Sequence, residues 1–436
     1  PDIHVFHRED ASTDDMIKEN RKKEMFEIKN KGMIVLCAAI FVSFPTVVSS
    51  FAYMYTADAY LLAFLLATLA VYLTWCVKKW GTIAGMVCLA FAMGIYQAYA
   101  TVAIVLVLLY IIRQFVIEKL DFLEAVRKDL KYLGMLVGGA VLYAVILKIT
   151  LIRYNITLPG YQGIGALGIM SLGQYKAALQ NTLYHFRLIL GMEHGVEKHV
   201  YSLLNAAALL LIGLILIYLL VRNQVYKKKM SMLASIAAVC LIPVGAYFIN
   251  FTSPDVQYYT LMEMAVCLIY LLMIIMLLQL DWKTWISKIL KGCGIFVLCG
   301  LVYYNVINCN IAYFNMNLSY HKSISIAEDV LQRIEQMDEF QNQHDKVVIM
   351  GDYNCATENL QIMMPSIMGI SNDSFLNDSY HYTIIWNYCF GVQMEQASYD
   401  EMMEIVETDE YKNMSVYPLK GCVEYINGII VVKMQE

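Results

Sequence analysis

TIAGMVCLAFAMGIYQAYATVAIVLVLLYII, residues Thr82–Ile112, is an apolar run broken near its centre by Gly94, Tyr96, Gln97 and Tyr99. A hydrocarbon core about 30 Å thick takes roughly 20 helical residues. The run is therefore too long for one straight crossing and too short for two full ones. Lys78 and Lys79 precede it, and five Lys and Arg residues lie between Arg113 and Lys131. Basic residues gather in the short cytoplasmic loops of membrane proteins, so both ends belong on one side and the chain must turn back. We expect two short or tilted helices, or a re-entrant hairpin. The turn falls on the outer side, where Gly94 tolerates an unusual backbone and Tyr96, Gln97 and Tyr99 offer polar groups. A single long helix with a buried, hydrogen-bonded Gln97 is the alternative, and it would invert everything downstream.

The same reasoning orders the rest of the chain. Of 436 residues, 59% are hydrophobic and 16% charged, and mean hydropathy is positive, values outside the range of ordinary soluble proteins. Windows of spanning length run over Met33–Ser50, Ala59–Val77, Tyr132–Leu151, Tyr201–Val221, Met230–Ile249, Thr260–Leu280 and Gly292–Asn308. The alternating ten-residue segments of a membrane barrel do not appear. Further basic clusters lie at Lys18–Lys31, Arg222–Lys229 and Lys283–Lys291, whereas Ser50–Asp58 and Asn250–Tyr259 hold no Lys or Arg. The basic segments are expected inside, and the loop Ile152–His199, the loop NFTSPDVQYY and everything after about Asn310 outside.

From Asn317 onward there are 19 acidic and six basic residues, a net charge of -13, so this part reads as a separate soluble domain. SISIAEDVLQRIEQM has helical periodicity, KVVIMG and GIIVVKM read as buried strands, and Asn427-Gly428 is a hairpin signal. The expected organisation is a charged cytoplasmic segment over 1–31, a multi-span domain of about eight or nine helices over 32–311, and an acidic α/β domain over 312–436 on the outer face. The eleven cysteines are scattered without zinc spacing and read as small buried hydrophobes. The start is polar and shows no cleavable signal peptide. It also lacks an initiator methionine, so the chain is expected to be incomplete there.

Two segments, FPTVVSSFAYMYTADAYLLAFLLATLAVYL (Phe44–Leu73) and MGIYQAYATVAIVLVLL (Met93–Leu109), together with AEDVLQRIE, KVVIMGDYN and YPLKGCVEYINGIIVVKM in the acidic tail, resemble the type II Gtr glucosyltransferases, polytopic bacterial enzymes that glucosylate cell-surface polysaccharides. The resemblance implies a GT-C-like polytopic α-helical fold and a polyprenyl-phosphate-linked sugar as donor. It further implies a cell-surface glycan or glycolipid as acceptor, and transfer on the outer face of the bacterial cytoplasmic membrane. It also implies about two further spans upstream, whose first outer loop carries the acidic motif that typically supplies the catalytic base. Here a charged stretch of about thirty residues stands in that place, and Asp14-Asp15 sit on the cytoplasmic side, so the N-terminal catalytic portion is expected to be missing. No cofactor, metal or nucleic acid is expected.

Glycosyl transfer from a phospholipid carrier needs a base for the acceptor hydroxyl and groups that hold the leaving phosphate. Asp58 closes a charge-free outer loop and opens a span, a costly place for a carboxylate; it equally suits a helix N-cap. Asp255 is a second outer carboxylate, although Ser-Pro-Asp is ordinary turn chemistry, and Glu263, one turn inside the next span, is a weaker acid candidate. Tyr96, Gln97 and Tyr99 are candidates for binding substrate from the turn, or simply satisfy broken backbone. In Ser171–Leu190, Leu172, Tyr175, Leu179, Leu183, Phe186 and Leu190 form an apolar stripe, so a helix should lie in the membrane interface. Arg153, Lys176, His185 and Arg187 would then be placed to neutralise a phosphate, or to attract lipid headgroups generally.

GIGALG at Gly163–Gly168 lacks the strand and βαβ setting of a nucleotide loop. EHGVEKH, with Glu193, His194, Glu197 and His199, lacks zincin spacing. A flippase or transporter would show inverted repeats and ionisable residues at the membrane midplane, and neither is found. A non-catalytic membrane assembly factor is the third reading, favoured by the absent acidic loop.

Overall fold

The computed structural model describes residues 25–26, 28–158, 168, 170–192, 199–256, 258–340, 345–351, 353, 375–376 and 378–434. Asp14-Asp15, most of GIGALG, and Glu193, His194 and Glu197 lie outside the described residues. The chain forms two compact units, divided between Ile307 and Asn308.

The first unit is helical. Asn30 caps α1 (Lys31–Ser43), its side chain accepting from the Met33 amide at 3.1 Å. Pro45 then opens α2 (Pro45–Ala52), and the missing proline N–H lets the two helices bend by 43° at Phe44. α3 (Met54–Cys76) and α4 (Gly81–Ile95) are joined by a four-residue connection. A Cβ on Gly85 would stand 2.7 Å from the Ala70 carbonyl oxygen, so glycine sets how closely these two helices meet. The helix of α4 ends at Tyr96, which is extended at φ -157°. A 3₁₀ turn over Gln97–Tyr99 leads into α5 (Ala100–Val116).

The packing of α6 (Phe122–Tyr154) gives the directions. Gly138 and Gly139 of α6 lie against Met86 and Leu89 of α4, so α6 runs parallel to α4. Against α5 the order reverses: Gln97 meets Tyr143 and Tyr110 meets Tyr132. The chain therefore changes direction between Ile95 and Ala100. Gly94 does not supply the break; it lies within α4 with open space around its Cα, and Tyr96 carries the non-helical backbone.

Then follow α7 (Leu172–Ile189), α8 (Val200–Arg222), α9 (Lys229–Cys240), α10 (Ile242–Ala246), α11 (Leu268–Leu278) and α12 (Trp285–Glu335). Among the described residues five helical stretches are long and apolar enough to cross a membrane: α3, Gln97–Val116, α6, α8 and α12; six if α1 and α2 count as one. This is the build of a membrane protein. Two of the apolar windows are not continuous helices. Met230–Ile249 is interrupted after Cys240, with Pro243 in the first turn of α10 and a 3₁₀ turn over Phe248–Phe251. Thr260–Leu280 begins as two 3₁₀ turns that meet at Glu263 before α11 starts.

In the second unit, after the last part of α12, a four-stranded sheet has the order β2-β1-β4-β3. β1 (Lys346–Met350) pairs parallel with β2 (Glu395–Gln396) and with β4 (Ile429–Lys433); β3 (Val423–Ile426) and β4 form an antiparallel hairpin. Asn427 and Gly428, at φ 50° and 83°, make the tight turn that such a hairpin favours. Among the described residues this unit also has helices α13 (Ser379–Ile385), α14 (Tyr399–Val406) and α15 (Asp409–Asn413). One face of the sheet packs on Ala327, Val330, Ile334, Tyr382 and Trp386, the other on Ile405 and Met414. The periodic segment Ser323–Met337 is largely the end of α12.

Candidate functional site

The segment Tyr247–Glu263 carries the 3₁₀ turns between α10 and α11, and several of the polar groups buried in the helical unit meet there. Glu263 is 4% exposed, and the Tyr247 hydroxyl donates to its Oε1 at 2.8 Å. His185 of α7 brings Nδ1 to 3.9 Å from the same oxygen, beyond hydrogen-bonding distance. Burial holds the His185 imidazole below its ordinary pKa. Tyr258 packs on both His185 and Tyr247, with centroids 5.3 and 5.0 Å away. Asn250 Nδ2 donates to Thr182 Oγ1 of α7 at 3.0 Å. These contacts pin α7 by one face, that of Ala178, Thr182, His185 and Ile189. The apolar stripe with Leu172, Leu179 and Leu183 faces away from the protein.

Two cavities flank this segment. A polar one of about 460 Å³ lies between α7 and the loop after Asn250, lined by Gln174, Gln180, Asn181, Tyr184, Asn250 and Ser253 among others. An apolar groove of about 640 Å³ runs between α4, α5 and α6, past Met93, Ile104, Leu136, Ala140 and Ala144. Both are bounded by Ser253 and Val256, so polar and apolar spaces adjoin at one wall.

The sequence candidates distribute unevenly around these spaces. Gln97 lines the apolar groove, and its Nε2 lies 2.5 Å from the Tyr143 hydroxyl, to which it donates. Tyr96 stacks near Tyr60, 5.1 Å between centroids. Tyr99 is buried, with its hydroxyl against Ser50. Asp255 is exposed in the turn between Pro254 and Val256, both of which line the polar cavity. Its amide donates to Ser253 Oγ at 3.4 Å.

Asp58 is exposed. It does not cap the helix: α3 begins at Met54 with Tyr53 as its cap, and the Asp58 carboxylate accepts from the next amide, Ala59, at 2.8 Å. His185 belongs to the buried cluster. Arg153, Lys176 and Arg187 are exposed, and none of them is among the described residues that line the polar cavity.

Glu263 is more central than its place in the sequence indicates. The legible signal is an acid inside an apolar window; Tyr247 and Tyr258 lie earlier in the same connecting segment and His185 comes from α7, and no local pattern announces their meeting. Among the described residues no group of three or more His, Cys, Asp or Glu could hold a metal.

Helices of membrane length beside a polar cavity and an apolar groove define a polytopic α-helical membrane protein. Residues 23–270, more than half of the chain, match the family model described as glucosyl transferase GtrII. The chain belongs to that family and is thereby a glycosyltransferase. No curated protein and no solved structure matches it.

Proposed function

We propose that the protein transfers a glucosyl group from a polyprenyl-phosphate carrier to a cell-surface polysaccharide or glycolipid, on the outer face of the cytoplasmic membrane, using a GT-C-like arrangement of spans. One observation carries this reading: the polar cavity and the apolar groove meet at Ser253 and Val256. An amphiphile with a sugar head and an isoprenoid tail fits such a pair. The side-chain amides of Gln174, Gln180, Asn181 and Asn250 suit sugar hydroxyls, and the groove suits the tail.

In this reading the acceptor oxygen attacks the anomeric carbon and the carbon–oxygen bond to the phosphate breaks. The phosphate leaves with the bonding electrons, and a carboxylate takes the acceptor proton. Asp255, at the rim of the polar cavity, is our first assignment for that base, and Asp58 the second. Tyr96 and Gln97 orient the donor from the turn; Tyr99 supports them from the buried side. Arg153, Lys176, His185 and Arg187 supply positive or hydrogen-bonding character near the outer interface. The acidic C-terminal part faces outward, in keeping with the basic residues clustered at the opposite ends of the spans.

The test is glucosyl transfer in native membranes with insertion verified. Asp255→Asn should lower the rate by about 10²-fold or more, Gln97→Ala by less. Wild-type rates in both Asp255→Asn and Asp58→Asn would end the base assignment. Ala140→Trp, which fills the groove, should raise KM for a long-chain carrier and leave a short-chain analogue unaffected. An equal effect on both would remove the groove from the donor site.

A further inference from the structure

The second unit carries a surface that its own fold does not use. On α13 and the π-helical turn Trp386–Phe390 that continues it, Tyr382 and Trp386 are completely buried and face the core. The opposite face presents Tyr380, 55% exposed, and Tyr388, 83% exposed. Between them lie Thr383 and Asn387, three and seven residues beyond Tyr380 and so on one helical face. Gln396 Nε2 donates to Thr383 Oγ1 at 3.0 Å, and Gln393 Nε2 donates to Asn387 Oδ1 at 3.3 Å. The result is a strip with an aromatic ring at each end, roughly 12 Å apart along the axis at 1.5 Å per residue, and a row of amides and a hydroxyl between. The π turn ends the helix at Gly391, which is left-handed at φ 72°.

We propose that this strip, Tyr380–Thr383–Asn387–Tyr388 with Gln393 and Gln396, is a binding site for an uncharged glycan. In the terms of the proposed function, on which this inference rests, that glycan is the acceptor polysaccharide. Tyrosine rings give flat apolar faces for the C–H surfaces of a hexose, and each keeps a hydroxyl in water. The amides both donate and accept, which matches sugar hydroxyls and gives nothing special to an anion. The strip contains no Lys or Arg, and the chain from Asn317 onward has a net charge of -13. A nucleic acid, an anionic lipid surface or an acidic polysaccharide would meet repulsion there. The ring spacing exceeds one hexose unit, so the site takes a chain rather than a free monosaccharide.

The experiment uses the full chain in nanodiscs and, as probe, the neutral polysaccharide extracted from the envelope of the cells that make the protein. Heparin serves as the polyanionic control. Binding is followed by co-sedimentation and by saturation transfer from tyrosine rings. The wild type should bind the neutral polysaccharide and not heparin. Tyr380→Ala and Tyr388→Ala should each weaken binding about five- to tenfold, Tyr388→Phe should retain most of it, and in transfer assays the alanine variants should raise KM for acceptor with kcat unchanged. Unchanged binding in the Tyr380→Ala/Tyr388→Ala double variant, eluting and melting as the wild type does, would overturn the proposal. Heparin binding that depends on the same two tyrosines, or loss of a copurifying protein without loss of glycan, would do so too. Asp255→Asn separates the two readings: it should bind polysaccharide normally while failing to transfer. Strip-dependent binding by a wild type that transfers nothing would sink the transferase assignment and leave the strip standing.

Discussion

The helical unit buries small and polar residues of its spans alongside large apolar ones, whereas the sheet of the second unit closes on large apolar side chains. In α3, Ala63, Ala67 and Ala70 are fully buried, whereas Leu65 is 58% exposed; Ser49, Thr74, Thr101 and Ser202 are also inside. In the second unit the interior is Trp386, Tyr382, Ile430 and Val431, and the charged residues lie mostly outside. The difference is one of solvent. In water, burial of large apolar side chains is the main driving force. Against lipid tails that force weakens between helices, so small residues that let backbones approach, and polar groups that bond across helices, join the large apolar side chains inside. Neighbouring spans show the consequence: Gln97–Val116 and α6 are about equally apolar, yet 72% of the first spanning window is buried and 11% of the second.

If this contrast holds, equal substitutions should have unequal effects. The largest should be Trp386→Ala, which removes a completely buried side chain and its 2.7 Å hydrogen bond to the Ala327 carbonyl. A cost of about 3–5 kcal/mol is expected, visible as a lower denaturation midpoint of the sheet-bearing unit by near-UV circular dichroism. Next comes Gly85→Leu. The new side chain would press on the Ala70 carbonyl, a backbone atom that cannot swing aside, at a cost of about 1–3 kcal/mol or more and with loss of monodisperse protein in detergent. Gly94→Ala, with open space around it, is the matched control and should behave as the wild type. Leu65→Ala should change the melting temperature in detergent far less than Gly85→Leu, since lipid replaces what the leucine touched. A penalty of the size that water-facing cores show would mean that α3 packs against something other than lipid.

Much of this organisation is legible in the sequence, and the reasons it stops being so are physical. Composition and the positions of Lys and Arg mark a membrane protein, and the segments around Phe44–Leu73 and Met93–Leu109 identify the family. The polar interruption in Thr82–Ile112 marks where the helix breaks, but the breaking residue is Tyr96, because a glycine can remain helical when its neighbours favour it. Local capping rules point to Asp58 at a helix start, yet the chain is already helical from Met54. Hydrophobic periodicity finds α7 and cannot say which face meets protein: in lipid the apolar stripe is the outer one. The cluster around Glu263 is assembled from residues 182, 185, 247, 250, 258 and 263, a tertiary fact with no local signature.

The smallest effect tests the water-facing unit through its charge. Glu401 closes a capping box with Ser398 at the start of α14 and meets Lys346 of β1, Nζ to Oε1, at 2.5 Å. The hydrogen bond from Lys346, then those from Ser398, hold its carboxyl down at about 2, from an ordinary value of 4.5. A folded-state pKa below the unfolded one means that the unfolded chain takes up the proton first. The stabilisation is therefore complete above about pH 4.5 and is lost as pH falls toward 2. Both partners are solvent-accessible, so the contribution is small and salt-screened. Denaturation midpoints of the sheet-bearing unit between pH 5.5 and 2.5 should fall less steeply in Glu401→Gln than in the wild type. Lys346→Met should lie between, because the Ser398 bonds remain. Parallel slopes in all three would show that the acid sensitivity of this unit comes from elsewhere.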